Sequence, residues 1–495
     1  MKSTNNYTIS KSKYVDGLRC LKLLWYEYNR KDDIPQVDSA TQAIMDQGKV
    51  VGKLAQTLFP DGIAIQREYI PRKQAEKSLE AIKLRKPVFE AGFVYKQMYA
   101  LADILDPVEK DKWDLIEVKS STGIKEEYYS DVAFQKYVYE NAGLKIRKCF
   151  LMYINNKYIR KGNIDPKCLF AKEDITKECV ALIPGIEKGI NNMIKVLNSK
   201  NEPIIKVSPH CEDPWTCPLY DICWSFLPKK DNVFCLYFGK RKAYDLMNKG
   251  ILNITKIPGD VKLSEKQIIQ LKCHKNGAPH IDKEQIKIFL SALEYPLYFL
   301  DFETINPAIP VYDNSKPYEN IPFQYSLYVM NEKDSEPKKH GYITPDKSDP
   351  RKEILKQLKR LLGSKGSIIA YNSTFEITTL RKAIEAYPEY QDWLAVIEKR
   401  FIDLLVPFRS FFYYHPKQEG SASLKAVLPV MTNLNYEDIV INEGSLASNE
   451  YYRVTFGENI DEKERQRVYN ELDKYCDLDT KGMIEILSAL RIICK

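Results

Sequence analysis

No apolar run in the sequence approaches the length that crosses a bilayer. Met1 to Lys13 is polar and lacks the apolar segment of a signal peptide, which predicts a cytoplasmic protein. Internal repeats and low-complexity stretches are also missing, so solenoids and disordered tails are not expected. Neither sign of charge dominates. The 74 Lys and Arg against 67 Asp and Glu leave a net charge of +7, a mild bias that suits an anionic partner. Eleven cysteines in 495 residues do not make a disulfide framework in a cytosolic chain. The length predicts two or three domains, each with its own core.

The chain does contain two apolar segments that each end in charge, Ala100-Leu-Ala-Asp103-Ile-Leu and Leu115-Ile-Glu117-Val-Lys119-Ser. Strand alternation puts Glu117 and Lys119 on one face. Asp103 and Glu117 repel each other unless a cation lies between them. Mg²⁺ or Mn²⁺, which take oxygen ligands, would fill that place, and Lys119 would steady a phosphate or an attacking water. A strand pair with surface charges fits the same pattern. Helical spacing over Lys125 to Asn141 sets Gln135 and Tyr139 on one face.

Asp103, Glu117, Lys119, Gln135 and Tyr139, in that order, resemble the D…(D/E)xK…QxxxY set of the RecB-like PD-(D/E)XK nucleases. The resemblance covers roughly the first 225 residues. It implies a restriction-endonuclease-like mixed sheet with helices. In it Asp103 and Glu117 hold metal, Lys119 is the electrostatic catalyst, and Gln135 and Tyr139 position the nucleic acid strand. There are two departures. Ala100 stands where the family often has Gly, and Gly48-Lys-Val-Val-Gly52 carries no His. Glu90, on the preceding strand, is the candidate replacement ligand.

Around these motifs we expect helices over 10–30, 41–59, 75–84 and 184–198. Strands are expected near 88–93, 97–105, 113–119 and 146–154. Cys211, Cys217 and Cys223 then recur in His210-Cys-Glu-Asp-Pro-Trp-Thr-Cys-Pro-Leu-Tyr-Asp-Ile-Cys-Trp, and Cys20 is the candidate fourth ligand. One cysteine before the nuclease core and three after it is the layout of the CRISPR-associated and AddB-like branch. The resemblance implies a 4Fe–4S cluster stapling the ends of the domain. Structural zinc, with His210 as a further donor, is the alternative.

A linker is expected at Leu227–Asn232, followed by short helices over 244–249, 264–272 and 283–293. Gly250–Gly259 bears a loose likeness to a helix-hairpin-helix, although a plain helical connector fits it better. The third block opens with Tyr295-Pro-Leu-Tyr-Phe-Leu-Asp301-Phe-Glu303-Thr304, again an apolar strand ending in acids two apart. Ala370-Tyr-Asn372-Ser-Thr-Phe375-Glu376 and Tyr475-Cys-Asp-Leu-Asp479 follow, the latter expected at the start of a helix to Leu490.

These three pieces resemble the motifs of the DEDD 3′–5′ exonucleases, of the tyrosine subtype, which have a ribonuclease H-like fold. The resemblance implies two metal ions held by Asp301, Glu303, Glu376 and Asp479, with Tyr475 orienting the attacking water. Glu376 departs from the family's Asp, and Asp403 is an alternative acid. Leu300-Asp-Phe-Glu-Thr, Ile321-Pro-Phe-Gln-Tyr-Ser326 and Gly420-Ser-Ala-Ser-Leu-Lys425 extend the likeness to nearly the whole chain. The whole arrangement resembles a bacterial family joining a RecB-like nuclease to a C-terminal domain of unknown function.

The expectation is therefore an α/β protein. Residues 1–228 would form the nuclease with its four-cysteine cluster, 229–293 a helical connector, and 294–495 a ribonuclease H-like exonuclease domain. The expected partner is DNA, single-stranded or at ends, with RNA as an alternative. A nucleic-acid-binding scaffold or a redox sensor with dead sites is the competing reading.

Overall fold

The computed structural model describes residues 7–495. It is a mixed α/β protein of two compact units. The first ends at Trp224 and also takes in Pro307–Tyr318, while Ser225–Asn306 and Glu319–Lys495 form the second. No described helix is long and apolar enough to cross a membrane.

The first unit is built on a seven-stranded mixed sheet. Strands Val88–Tyr95, Met98–Glu109 and Lys112–Lys119 form an antiparallel meander. Helix Glu126–Asn141 then crosses over to strand Lys145–Ile154, which runs parallel to Lys112–Lys119. Phe134, Val138 and Tyr139 of that helix pack with Ala100, Ala102 and Leu115. Val51 and Ala55 of helix Ser39–Gln56 pack with Ile104 and Ile116 in a separate cluster.

Several expected elements move. The helix expected over 10–30 is two helices, Lys11–Arg19 and Leu21–Asn29, because Cys20 is extended (φ −156°, ψ 115°). Helix Thr176–Leu197 contains Pro184 rather than starting there. Strand Phe170–Asp174, too polar to announce itself, lies beside Lys145–Ile154. Pro307–Tyr318 belongs to this unit because Ala308 is buried with Ile154 and Tyr158, and Gly162 N–H donates to Asp313 at 2.8 Å.

The second unit carries a five-stranded sheet. Strands Leu297–Ile305, Ile321–Met330 and Lys338–Ile343 are antiparallel. Ile368–Ala370 and Phe401–Asp403 continue the sheet in parallel on the other side of Leu297–Ile305. Alternation along Leu297–Ile305 is strict. Leu297 and Phe299 pack with Met483 and Leu487 of helix Glu462–Ile493, whereas Tyr298, Leu300 and Phe302 pack with Leu355 and Leu380. Asp301 and Glu303 continue the first series and so lie on the side of the long helix.

Asp479 is in the middle of that helix and not at its start, because the apolar stripe from Val468 to Leu490 runs through it. The stretch expected as a connector is built into this unit. His280–Ile281 pairs with Tyr413–Tyr414, and a single short turn, Ile254–Lys256, fills the loop between helices Lys240–Asn248 and Glu265–Asn276.

Candidate functional sites

In the first unit the register sets Ile104 opposite Ile116 and Phe89 opposite Ile104. Glu90, Asp103 and Glu117 are therefore level with one another on three adjacent strands. Glu90 has φ +57°, an uncommon conformation for a side chain of its size, at one end of the acidic row. Asp103 Oδ2 accepts the Val118 N–H at 2.7 Å. Burial, and then the charge of Glu117, push its carboxyl up to about 7.

Glu117 behaves in the opposite way. Burial alone would raise it, but the ammonium groups of Lys11 and Lys119 outweigh that and hold it down at about 2. Its Oε1 accepts from Lys11 at 2.6 Å and from Lys119 at 2.9 Å, and its Oε2 accepts from Gln135 at 2.7 Å. Lys119 also donates to Asp131 at 2.6 Å. Burial would lower Lys119, yet Glu117 and Asp131 raise it, so it stays charged.

Gln135 thus sits in the site, and its buried Oε1 has no protein partner. Tyr139 does not. It is fully buried, donates to the Ala91 carbonyl at 2.6 Å and packs edge-on against Phe93, so it fixes the strand carrying Glu90 and cannot touch nucleic acid. Sequence reading missed Lys11. Its one signal is Ser10, which caps the helix that Lys11 opens and follows Ile9 on a strand beside Met98 and Tyr99.

Cys20, Cys211, Cys217 and Cys223 line one pocket, together with His210, Lys22 and Tyr220. The extended break at Cys20 allows a residue between two helices to face it. Burial pushes the Cys217 thiol up to about 11, with the Cys20 and Cys211 charges adding and Arg19 opposing. Cys223 is raised in the same way, by burial first, against the pull of Lys22. His210 Nε2 lies 3.7 Å from Cys211 Sγ.

In the second unit four carboxyls converge. Burial and the neighbouring Asp479 push Asp301 far up. Glu303 is raised by burial, Asp301, Asp479 and Glu376, against Lys425. Glu376 is raised by burial and Asp301, and its buried Oε2 has no protein partner. Burial lifts Asp479 to about 6, opposed by the Tyr436 hydroxyl and Lys425. The Tyr436 hydroxyl donates to Asp479 Oδ1. Burial and Asp479 also raise Tyr475, which therefore keeps its phenolic proton.

Helix Glu462–Ile493 is bound to the acidic strand pair by Ser326, which hydrogen-bonds Thr480 at 2.6 Å, and by Gln324, which donates to the Leu472 carbonyl at 3.1 Å. Asp301, Glu303 and Cys476 offer ligand atoms within 4.8 Å of one another, the one such set among the described residues. Cys476 donates its thiol to Asp301 Oδ2 at 3.4 Å, and burial keeps it protonated, so oxygen makes up the usable donor set. Oxygen donors around an unpartnered buried carboxylate suit a hard divalent ion.

Asp403 is otherwise engaged. It caps the following turn, accepting from Asn372 N–H at 2.9 Å and Leu405 N–H at 3.0 Å, and it pairs with Arg409 at 3.5 Å. Lys425 and Tyr436 were not foreseen as site residues. Lys425 ends the Gly420–Lys425 motif, and Tyr436 has no motif of its own.

The chain is 26% identical over 380 residues to the uncharacterized protein UU173 of Ureaplasma parvum, a match covering 67% of this chain and 54% of that one. It is 25% identical over 260 residues to the uncharacterized MG366 homolog of Mycoplasma pneumoniae, covering 48% and 39% respectively. The chain thus spans about half the length, or less, of the curated relatives it matches. Residues 298–423 match the model of a domain of unknown function, DUF2779, a span that includes Asp301, Glu303 and Glu376 and ends before Asp479.

Proposed function

We propose that this protein is a metal-dependent nuclease, and that the second unit holds the better-formed site, a ribonuclease H-like 3′–5′ exonuclease centre. One observation carries this reading. Asp301, Glu303, Glu376 and Asp479 converge in a buried place with a carboxylate oxygen left unpartnered, an arrangement that is costly without a cation. Glu376, one methylene longer than the family's Asp, is near enough for the charge of Asp301 to raise it, but lies outside the set of ligand atoms within 4.8 Å of one another. Divalent ions held there would neutralise the phosphate and activate a water. The chain's own part is to place the carboxyls, to hold the Tyr475 phenol protonated beside Asp479, and to set Lys425 where it can attract a phosphate.

The first unit supports a PD-(D/E)XK reading through its meander, crossover helix and level row of Glu90, Asp103 and Glu117. Lys11 favours a second reading for that site, since it occupies Glu117 Oε1 together with Lys119. On this reading the site is a nucleic-acid-binding surface with reduced catalytic power. For the four cysteines we favour a 4Fe–4S cluster. They line one pocket, and one cysteine before the core with three after it is the layout that the resemblance associates with that cluster; structural zinc is the alternative.

The deciding experiment is digestion of labelled single- and double-stranded oligonucleotides by the full chain with Mg²⁺ or Mn²⁺. Lys119→Ala, Asp301→Ala and the double variant are assayed beside wild type. Loss of 3′-end trimming in Asp301→Ala is expected. A wild-type protein that cuts nothing with either ion overturns the nuclease reading. Iron and sulfide content of anaerobically purified protein, about four of each per chain, tests the cluster.

A further inference from the structure

Phe238 is 91% exposed, far more than any packing role requires. Its backbone has φ +45°, a conformation disfavoured for a bulky residue. The ring leans on a braced neighbour. It meets Tyr237 edge-on, with centroids 4.6 Å apart, and Tyr237 in turn packs on Phe411 at 4.8 Å and donates its hydroxyl to the Arg409 carbonyl. Lys266 lies over the Tyr237 ring at 5.6 Å and donates to the same carbonyl at 2.8 Å. An aromatic face is thus presented to solvent on a braced mount, at the start of the basic run Lys240-Arg241-Lys242.

Phe238 also divides two open clefts of the second unit. One is lined by Arg241, Lys242 and Lys262 beside it, with Asp245 as the one acid among them. The other, of about 530 Å³, runs from Tyr237 and Phe238 past Arg409 to Tyr371, Asn372, Ser423 and Leu424. Those last residues adjoin, along the chain, segments that carry the four-carboxyl site. Tyr371 and Asn372 lead into the helix that carries Glu376, and Leu424 precedes Lys425. The volume is within the range of ligand clefts, about 300–1,000 Å³.

We infer that Phe238 is a base-stacking platform for single-stranded nucleic acid. A base would stack on the ring, the backbone would follow Arg241 and Lys262 on one side and Arg409 on the other, and the 3′ end would enter the cleft toward Asn372 and Lys425. The site rests on the exonuclease reading for its direction but not for its binding. Cationic side chains around the clefts match a polyanion, and an exposed aromatic matches any base, so the expected ligand is single-stranded without sequence preference. A duplex keeps its bases stacked on each other and offers the ring nothing.

The test is fluorescence anisotropy of the full chain with a labelled oligo-dT strand, its RNA counterpart oligo-U, and a blunt duplex, all in EDTA so that nothing is cut. Single strands are expected to bind more tightly than the duplex. Phe238→Ala is expected to weaken single-strand binding by roughly 5- to 150-fold, while Phe238→Trp restores it. Arg241→Ala is expected to flatten the salt dependence, which Phe238→Ala leaves unchanged. Equal binding by wild type and Phe238→Ala overturns the inference, as does a wild-type protein that binds no single strand. Digestion with Mg²⁺ is scored separately. Strong, Phe238-dependent binding without cutting removes the nuclease reading alone, and cutting without Phe238 dependence removes the platform alone.

Discussion

Lys11 donates to Glu117 at 2.6 Å across 106 residues of sequence, and it does so at the oxygen that also accepts Lys119. A buried carboxylate with two ammonium groups on one oxygen has its charge offset without any ion. Lys11→Met removes one of those groups. Without added metal the variant is expected to be less stable by about 1.5–3 kcal/mol, the value of a hydrogen bond to a charged group. With Mn²⁺ it is expected to gain more in Tm than wild type, because the ion then meets an acidic row with one competitor fewer. Thermal melts with and without Mn²⁺ check both. An unchanged Mn²⁺ response would show that Lys11 and the ion do not share a place.

In the second unit the balance runs the other way. Asp301, Glu303, Glu376 and Asp479 are all raised by burial, and Lys425 is the basic side chain whose charge reaches Glu303 and Asp479. Asp301→Asn and Asp479→Asn remove a desolvated charge from a repulsive group. In EDTA at pH 8 each variant is expected to melt at or above the wild-type temperature. Each is also expected to lose the stabilisation that Mg²⁺ or Mn²⁺ gives wild type, and to cut at least about 100-fold more slowly. A variant that melts lower in EDTA would mean that the carboxyls are held by protein contacts rather than waiting for an ion.

How much of this could be read beforehand differs between the two sites. Asp301 and Glu303 were legible because strict alternation along an apolar strand makes a buried acid conspicuous. Asp479 was legible as a residue but not in its place, since a carboxyl inside an apolar helical stripe reads as an interruption and suggests a helix start. Tyr139 was legible as a neighbour of Gln135 on the helix, yet helical spacing says nothing of depth, and its hydroxyl proves to be tied to the Ala91 carbonyl. Lys11 had only the Ser10 cap to mark it. It meets Glu117 only because a two-residue strand, Ile9–Ser10, is laid beside Met98–Tyr99, and so short a strand carries no pattern. The segment 307–318 was hidden for a similar reason, because its membership of the first unit rests on tertiary contacts, the burial of Ala308 and the hydrogen bonds of Asp313, Asn314 and Ser315 with Arg160 and Gly162.

Glu27 provides a pH test outside both acidic sites. Burial, then the neighbouring Asp16, raise its carboxyl to about 7, against the pull of Lys13 at 2.5 Å. A carboxyl raised in the folded state binds its proton more tightly there than in the unfolded chain. Its contribution to stability is thus fully present below the unfolded value near 4.5 and is lost as pH rises through about 7. Wild type in EDTA is expected to lose about 1–3 kcal/mol from this group over that window. Other raised carboxyls titrate in the same direction, so the measurement is the difference from Glu27→Gln. Urea melts at intervals from pH 4.5 to 8 should show the variant gaining on wild type as pH rises. Parallel curves would remove Glu27 as a titrating group.

Gly420 opens the loop that brings Lys425 to the carboxyls, and it has φ +76°. A Cβ there would collide with the carbonyl oxygen of Cys235, so an alanine has both the wrong conformation and no room. The loop is also tethered from below, where the Gly420 N–H donates to the Tyr414 hydroxyl at 3.1 Å. That hydroxyl is in turn bound to His274 at 2.9 Å and Gln270 at 3.2 Å. Gly420→Ala is therefore expected to cost about 2–5 kcal/mol, combining backbone strain with overpacking. Ser421 and Ser423, exposed on the same loop, should each accept alanine within about 0.5 kcal/mol. Urea melts of the three variants check the contrast. A Gly420→Ala protein as stable as Ser423→Ala would mean that the loop can shift away from Cys235, and that Lys425 is not fixed beside Glu303 and Asp479 by this anchor.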